Sequence, residues 1–449
     1  MRVLLTVVLA LSAAAAEQRP VTSEDYFLFA AVGDPQISPD GKAIAYSVAR
    51  VDTKLNRRIS EIWMVPADGS APPRALTVMQ SSTLPRWAPD SRTLAFLSAR
   101  AASDDATPRP QIHLLSMAGG EARRLTHLPN GVTSFAWSPD GSRLTCLSRT
   151  GPTPGPSDTR HYLSSFYKFN GRSFFDTLRS HTWVVDANTL DARQITSGDQ
   201  RNDLDPQWSP DGKRIAFASE RTDVEPGPTG DIWVVPATGG EPLRIADRHE
   251  DDRSPKWSPD GASIAYLAAS AEDDTPAIWI APSGGGASRP AVAKLEYTPT
   301  SLNWRPDGGG FLFVAGWHGE QHLCSLDLRS GKVAAVTKGA RLAGAVAFDF
   351  ASRRMAYTVN DATHLDEIFT SALDGTGERQ LTHTNDQLMT TLQTSAIERM
   401  SYQSVDGLEI DGFLLKPAGW QAGRKYPMVL SIHGGPANMY GVGWSHEFQ

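Results

Sequence analysis

Four residues near the C-terminus have types and spacing that could do chemistry. His433-Gly434-Gly435-Pro436 follows the apolar run Pro427-Met428-Val429-Leu430-Ser431-Ile432. Glycines directly after a buried strand let the backbone approach a ligand closely. A backbone N–H held at such a place can stabilise the oxyanion of acyl transfer. Taken alone, His-Gly-Gly-Pro is equally an ordinary Gly-Pro turn. An oxyanion donor also needs a nucleophile, and no Gly-x-Ser-x-Gly occurs in the 449 residues. His446-Glu447 could open a zinc-binding His-Glu-x-x-His, but the sequence stops at Gln449, one residue short of the test. Nothing else supports a metal site, and neither metal nor cofactor is expected.

Other titratable groups read as structure. Cys146 and Cys324 sit in apolar runs, LTCLS and HLCSL, in different parts of the chain. Two buried free thiols are expected rather than a disulfide. The run His249-Glu250-Asp251-Asp252 is expected to be a solvated turn, with binding of a peptide amino group as the minor reading.

The elements that would have to position these residues come from a repeat. An aromatic or apolar residue precedes Ser-Pro-Asp-Gly, and an apolar run follows. The copies begin at Ile37, Trp87, Trp137, Trp208, Trp257 and Trp304, with a worn seventh at Phe348. Their aspartates are Asp40, Asp90, Asp140, Asp211, Asp260 and Asp307, in steps of 50, 50, 71, 49 and 47 residues. The phrase is a tight turn. Serine bonds the backbone, proline presets φ, aspartate tolerates the third position and glycine closes the fourth. Calcium binding by these aspartates is the sharper reading, but one aspartate per repeat is a turn residue first. The tryptophans are expected to pack between repeats.

A second strand with its own turn follows each phrase, as in EIWMVPADG from Glu61 and DIWVVPATGG from Asp231. A further short strand follows that, as in ARRLTHL. Units of about 45–50 residues, all β, predict propeller blades. The long third step holds residues 151–180, which open with a Gly/Pro loop and become aromatic-rich. They read either as an extended hairpin or as a lip contacting substrate or a neighbouring domain.

Past residue 394 the repeat stops. Residues 398–404 alternate, Asp406-Gly407 supplies a turn, and LEIDGFLLKP continues as a strand. This predicts a β-hairpin. The run from Pro427 to His433 then predicts a buried strand. Its position behind a propeller and a hairpin gives His-Gly-Gly-Pro its weight. WSPDG blades, a hairpin and V-L-S-I-H-G-G-P together resemble the prolyl oligopeptidase family of serine peptidases. The likeness is to its acylaminoacyl-peptidase and dipeptidyl-aminopeptidase-like branch. It covers nearly the whole chain after residue 20.

The resemblance implies an all-β seven-bladed β-propeller followed by the first strands of an α/β-hydrolase domain. It assigns 17–34 to a lead-in, 35–394 to the propeller and 395–449 to an incomplete hydrolase domain. It gives Gly435 the oxyanion-hole N–H. His433, Gly434 and Pro436 belong to the same motif. His433 precedes any nucleophile, so it is not the triad base, because the triad of this fold runs Ser, Asp, His. The triad is absent from the sequence, so the chain reads as an inactive part of a longer peptidase that acts on short peptides. WSPDG propellers also resemble the periplasmic Tol-system protein, a non-enzymatic binding module. The hairpin and the His-Gly-Gly-Pro run argue against that alternative.

Composition sets the remaining limits. Hydrophobic residues make up 40% and charged residues 21%, with a net charge of −7. This is a globular composition. No basic cluster with interleaved aromatics occurs, which disfavours a nucleic-acid partner. Residues 1–16, MRVLLTVVLALSAAAA, have the pattern of a signal peptide cleaved near Ala16. The run is short for a bilayer span. A secreted or periplasmic protein without a membrane span is therefore expected, with a peptide as its substrate.

Overall fold

The computed structural model describes residues 18–449 apart from 79–80, 101–107, 152–166, 170–172, 175–176, 222–228, 247–250, 269–275, 293–294, 296 and 435–437. The signal-peptide expectation for residues 1–16 thus lies outside the described residues.

The Ser-Pro-Asp-Gly turns form as the sequence dictates, and each launches a four-stranded antiparallel meander. The first sheet is Ala31–Ile37, Ala43–Asp52, Arg57–Pro66 and Arg74–Ala75. The second is Ser82–Trp87, Thr93–Ser98, Gln111–Ser116 and Arg123–Arg124. The third is Ser134–Trp137, Arg143–Thr150, Arg179–Asp186 and Ala192–Gln194. The fourth is Arg201–Trp208, Arg214–Arg221, Thr229–Pro236 and Leu243–Ala246. The fifth is Arg253–Trp257, Ser263–Ala268, Ala277–Pro282 and Arg289–Pro290.

The penultimate and last units are Pro299–Trp304, Gly310–Trp317, Glu320–Asp327 and Val333–Ala335, then Leu342–Asp349, Arg354–Asp361, His364–Ala372 and Arg379–Gln380. One parallel bridge, Gln321 to Leu342, joins them into a single eight-stranded sheet.

The first strand of every unit touches the first strand of the next, and that of the last unit touches that of the first sheet. The first strands therefore surround an axis, and later strands lie farther out. This is a β-propeller. Strand order within each unit is consecutive, so among the described residues no unit borrows a strand from the other end of the chain. The seam closes by other means. The side chain of Asn385 donates to Ala30 O at 2.9 Å and accepts from Ala30 N at 3.0 Å. Arg19–Pro20 pairs in parallel with Leu392–Gln393. Val32, Tyr46 and Val48 share one apolar cluster with Ala356 and Ile368.

Two residue types do recurring work. In the third sheet, Ser138 Oγ donates to Asp140 Oδ1 at 2.6 Å and accepts from Arg143 N at 3.0 Å, while Gly141 takes φ +70°. Ser38–Asp40, Ser209–Asp211 and Ser258–Asp260 repeat the serine–aspartate bond. The aspartates are thus engaged in holding their own turns. Their carboxyls lie below the usual range because that serine donates to them; Asp140 reaches about 2.

The five tryptophans that open copies of the repeat are straps between units. Each indole N–H donates to a backbone carbonyl of the preceding unit: Trp87 to Gln36, Trp137 to Arg86, Trp208 to Ala136, Trp257 to Gln207 and Trp304 to Lys256, at 3.0–3.2 Å. Arg143 and Arg214 stack over Trp208 and Trp257 of the following units. Both cysteines are buried and free, and burial pushes each thiol up to about 12.

Within 151–180, Lys168–Phe169 and Ser173–Phe174 form a small hairpin, while much of the remainder lies outside the described residues. The acidic run is not wholly a solvated turn. His249 and Glu250 lie outside the described residues, but Asp252 is fully buried, its N–H bonded to Gly230 O where the chain enters the fifth sheet. The strand expected over Pro427–His433 does not form. A strand needs a neighbour to bond, and no described strand lies alongside it. No described helix is long and apolar enough to cross a membrane.

Candidate functional site

The hairpin after the propeller forms as the sequence predicts. Ile397–Gln403 pairs antiparallel with Glu409–Leu415, and Gly407 turns the chain at φ +85°. It docks on the face that carries the turns between second and third strands, opposite the Ser-Pro-Asp-Gly turns.

The main socket is the turn Trp317-His318-Gly319-Glu320 of the penultimate unit. His318 Nδ1–H donates to Asp411 Oδ2 at 2.7 Å, and Arg399 donates to Asp411 Oδ1 at 2.9 and 3.1 Å. These bonds, that of His318 foremost, hold the Asp411 carboxyl below the usual range. Gly319 takes φ +79°, and a Cβ there would overlap Phe413.

The last residues follow the hairpin onto the same face. Val442 is buried, and its N–H donates to Gly319 O at 2.9 Å. Gly319 N–H points at Met439 Sδ, 3.3 Å away. Gln449 Nε2 donates to Ala362 O at 2.8 Å, in a turn of the last unit, and to Ser395 O at 3.0 Å. His446 Nε2–H donates to Thr22 O at 2.9 Å and lies between Tyr26 and Phe29, with ring centroids 5.7 and 5.6 Å away. His446 is thus a docking residue. Sequence reasoning missed this socket, because WHGE between two strands carries no mark beyond that of a tight turn.

The His-Gly-Gly-Pro run begins beside this contact. His433 packs edge-on against Tyr440 at 5.8 Å, and Tyr440 packs edge-on against Phe448 at 5.2 Å. His433 Nδ1–H donates to Gly434 O at 3.1 Å. Gly434 is exposed. Gly435 and Pro436 lie outside the described residues. The segment before them leaves an apolar surface open: Met428, Val429, Leu430 and Ile432 are 77–91% exposed. No Ser-His-Asp set stands beside His433 among the described residues, so what the structure supplies here is a motif anchored to the propeller by its flanks.

No family model matches the chain. An uncharacterized peptidase of Bacillus subtilis is 28% identical over 462 residues, covering 96% of this chain and 68% of the relative. Dipeptidyl-peptidase 5 of Porphyromonas gingivalis is 25% identical over 464 residues, covering 95% of this chain and 65% of the relative. Along nearly its whole length the chain is therefore similar in sequence to peptidases.

Solved structures show the same fold. The acylaminoacyl peptidase of Pyrococcus horikoshii superposes with a TM-score of 0.78 at 21% identity, over 96% of this chain and 65% of that one. The β-propeller domain of the Trilobed protease of Pyrococcus furiosus, described as having an open velcro topology, gives 0.58 at 17% identity over 80% of this chain and 99% of that domain. The consecutive strand order found here agrees with such a closure. The chain spans about two thirds of the length of the relatives it matches.

Proposed function

We propose that the chain is the seven-bladed propeller and the opening strands of a secreted serine peptidase that cleaves short peptides. In this reading residues 1–16 are a cleaved signal peptide, 35–394 are the blades and 395–449 begin an α/β-hydrolase domain. Gly435 supplies one oxyanion N–H, and the serine, aspartate and histidine of the triad are contributed from beyond Gln449. The 449 residues alone are inactive. The propeller limits access, which selects short peptides over folded proteins.

One observation carries this reading. The segment bearing His433 and Gly434 is clamped to the propeller on both flanks, by Asp411 and Phe413 before it and by Val442 and Gln449 after it. A purely binding propeller has no use for such an appendage. The exposed run Met428–Ile432 supports it too, since it has the composition of an interior strand.

The test extends the reading frame past Gln449 and assays cleavage of short peptide p-nitroanilides with and without a fluorophosphonate. The expected result is a Gly-x-Ser-x-Gly serine within about 150 residues, as an α/β-hydrolase domain requires, with turnover abolished on labelling. An extension without that serine and without turnover would overturn the peptidase reading in favour of a binding propeller.

A further inference from the structure

Gly319 is buried, and the chain that follows the hairpin takes both of its backbone polar groups. Its C=O accepts from Val442 N–H at 2.9 Å. Its N–H points at Met439 Sδ, 3.3 Å away, and has no other acceptor among the described residues. A thioether is a weak acceptor, yet a buried N–H with no acceptor at all is costly. The fit around this contact is close. A Cβ on Gly441 would overlap Gly319 O, and a Cβ on Gly316 would lie 3.2 Å from Met439 Cε.

Met439 is nevertheless 45% exposed, so small solutes reach it. Met400 and Met428 are more exposed, at 51% and 80%, but their sulfurs hold no N–H among the described residues. Met355 and Met389 are buried. Met439 alone among the described methionines combines an open side with a sulfur that holds the backbone of another element.

We propose that Met439 is an oxidative modification site whose sulfoxide releases the chain after the hairpin from the propeller. The oxidant is a peroxide. The sulfur lone pair attacks one oxygen of hydrogen peroxide, the O–O bond breaks, and a proton passes to the departing oxygen. Thioether and peroxide thus yield sulfoxide and water. The product is polar and carries an oxygen on sulfur. In the 3.3 Å contact there is no room for that oxygen. It accepts from Gly319 N–H only if the side chain withdraws, and the bond from Val442 to Gly319 O fixes the main chain close by. The same stretch carries Tyr440, which packs against His433 at 5.8 Å, so the flank of His433-Gly434 loosens with it. The site is a property of this contact and does not depend on any catalytic step.

The test treats the 449-residue chain with hydrogen peroxide. Peptide mass spectrometry reads the sulfoxide at each methionine, and amide exchange is followed in peptides spanning Gly319 and Val442. Met439 should oxidise after Met428 and Met400 and well before Met355 and Met389. Exchange should keep its starting rate until Met439 is oxidised and then accelerate about tenfold, the effect of one buried N–H losing its acceptor. Methionine sulfoxide reductases acting on both epimers should restore the slow rate. Met439→Leu lacks the reactive sulfur and should not respond to peroxide. A Met400→Leu/Met428→Leu double variant should respond as wild type does. Acceleration that precedes sulfoxide at Met439, that persists in Met439→Leu, or that fails to follow complete oxidation of Met439 would overturn the proposal. Resistance of Met439 to peroxide until Met355 also reacts would be equally fatal.

Discussion

Single residues in this protein act mostly by filling one recurring role, and those that depart from the repeat reveal more. His113 is such a case. It is buried on the third strand of the second sheet, stacked on Phe96 with centroids 5.8 Å apart. Its Nδ1–H donates to Gln111 O at 3.1 Å. Burial, the largest cause, lowers its pKa to about 4. The unfolded chain binds this proton near pH 6.5 and the folded chain only near 4. Stability from the neutral ring is therefore complete above pH 6.5 and is lost as pH falls toward 4. The loss is on the order of 3 kcal/mol at most. Urea unfolding at pH 8, 6.5, 5 and 4 should show His113→Phe losing less stability than wild type across that window, by the slope of about one proton. His181 is also buried with a lowered pKa, so the comparison rests on the difference between the two proteins. A difference that stays constant from pH 8 to 4 would exclude His113 as the group responsible.

Elements were legible where their own residues satisfy them. The Ser-Pro-Asp-Gly turns and the hairpin around Asp406-Gly407 were readable because each closes its bonds within a few residues. Residues Pro427–His433 have strand composition and form no strand, since the partner of a buried strand lies elsewhere in sequence. The tryptophans were readable as packing. Their N–H acceptors were not, because these lie 48–72 residues away. The socket at Gly319 was hidden for the same reason: its counterpart Phe413 belongs to another element. Gly319→Ala tests this socket. Gly308→Ala is its control, since Gly308 also has positive φ but meets nothing within 4 Å of an added Cβ. Both should lose roughly 1–2 kcal/mol to the left-handed backbone. Only Gly319→Ala should also expose residues 394–416 to limited proteolysis at native conditions. Equal protease sensitivity in the two variants would mean that the hairpin is held by Asp411 and Arg399 without the close approach at Gly319.

The whole molecule is a ring, and a ring is only as closed as its seam. Between neighbouring units the chain itself maintains the contact. Between the last and the first it does not, and no strand is shared there among the described residues. The repeat announced the ring but said nothing of this seam, because Ala30 and Asn385 stand outside the recurring phrases. Asn385 is buried, bridges Ala30 through both side-chain atoms, and has its own N–H fixed by Glu367 Oε1 at 2.9 Å. Replacing it with alanine leaves the Ala30 N–H and C=O buried without partners, at about 1–3 kcal/mol each. The damage should be local before it is global. In Asn385→Ala, amide exchange of Ala31–Ile37 and Arg354–Asp361 should accelerate at least about tenfold, which corresponds to 1.4 kcal/mol of opening. Arg214–Arg221, across the ring, should exchange as in wild type. Uniform acceleration around the ring would instead mean that the units open together, and that the apolar cluster joining Tyr46 to Ala356 and Ile368 holds the seam without the Asn385 clasp.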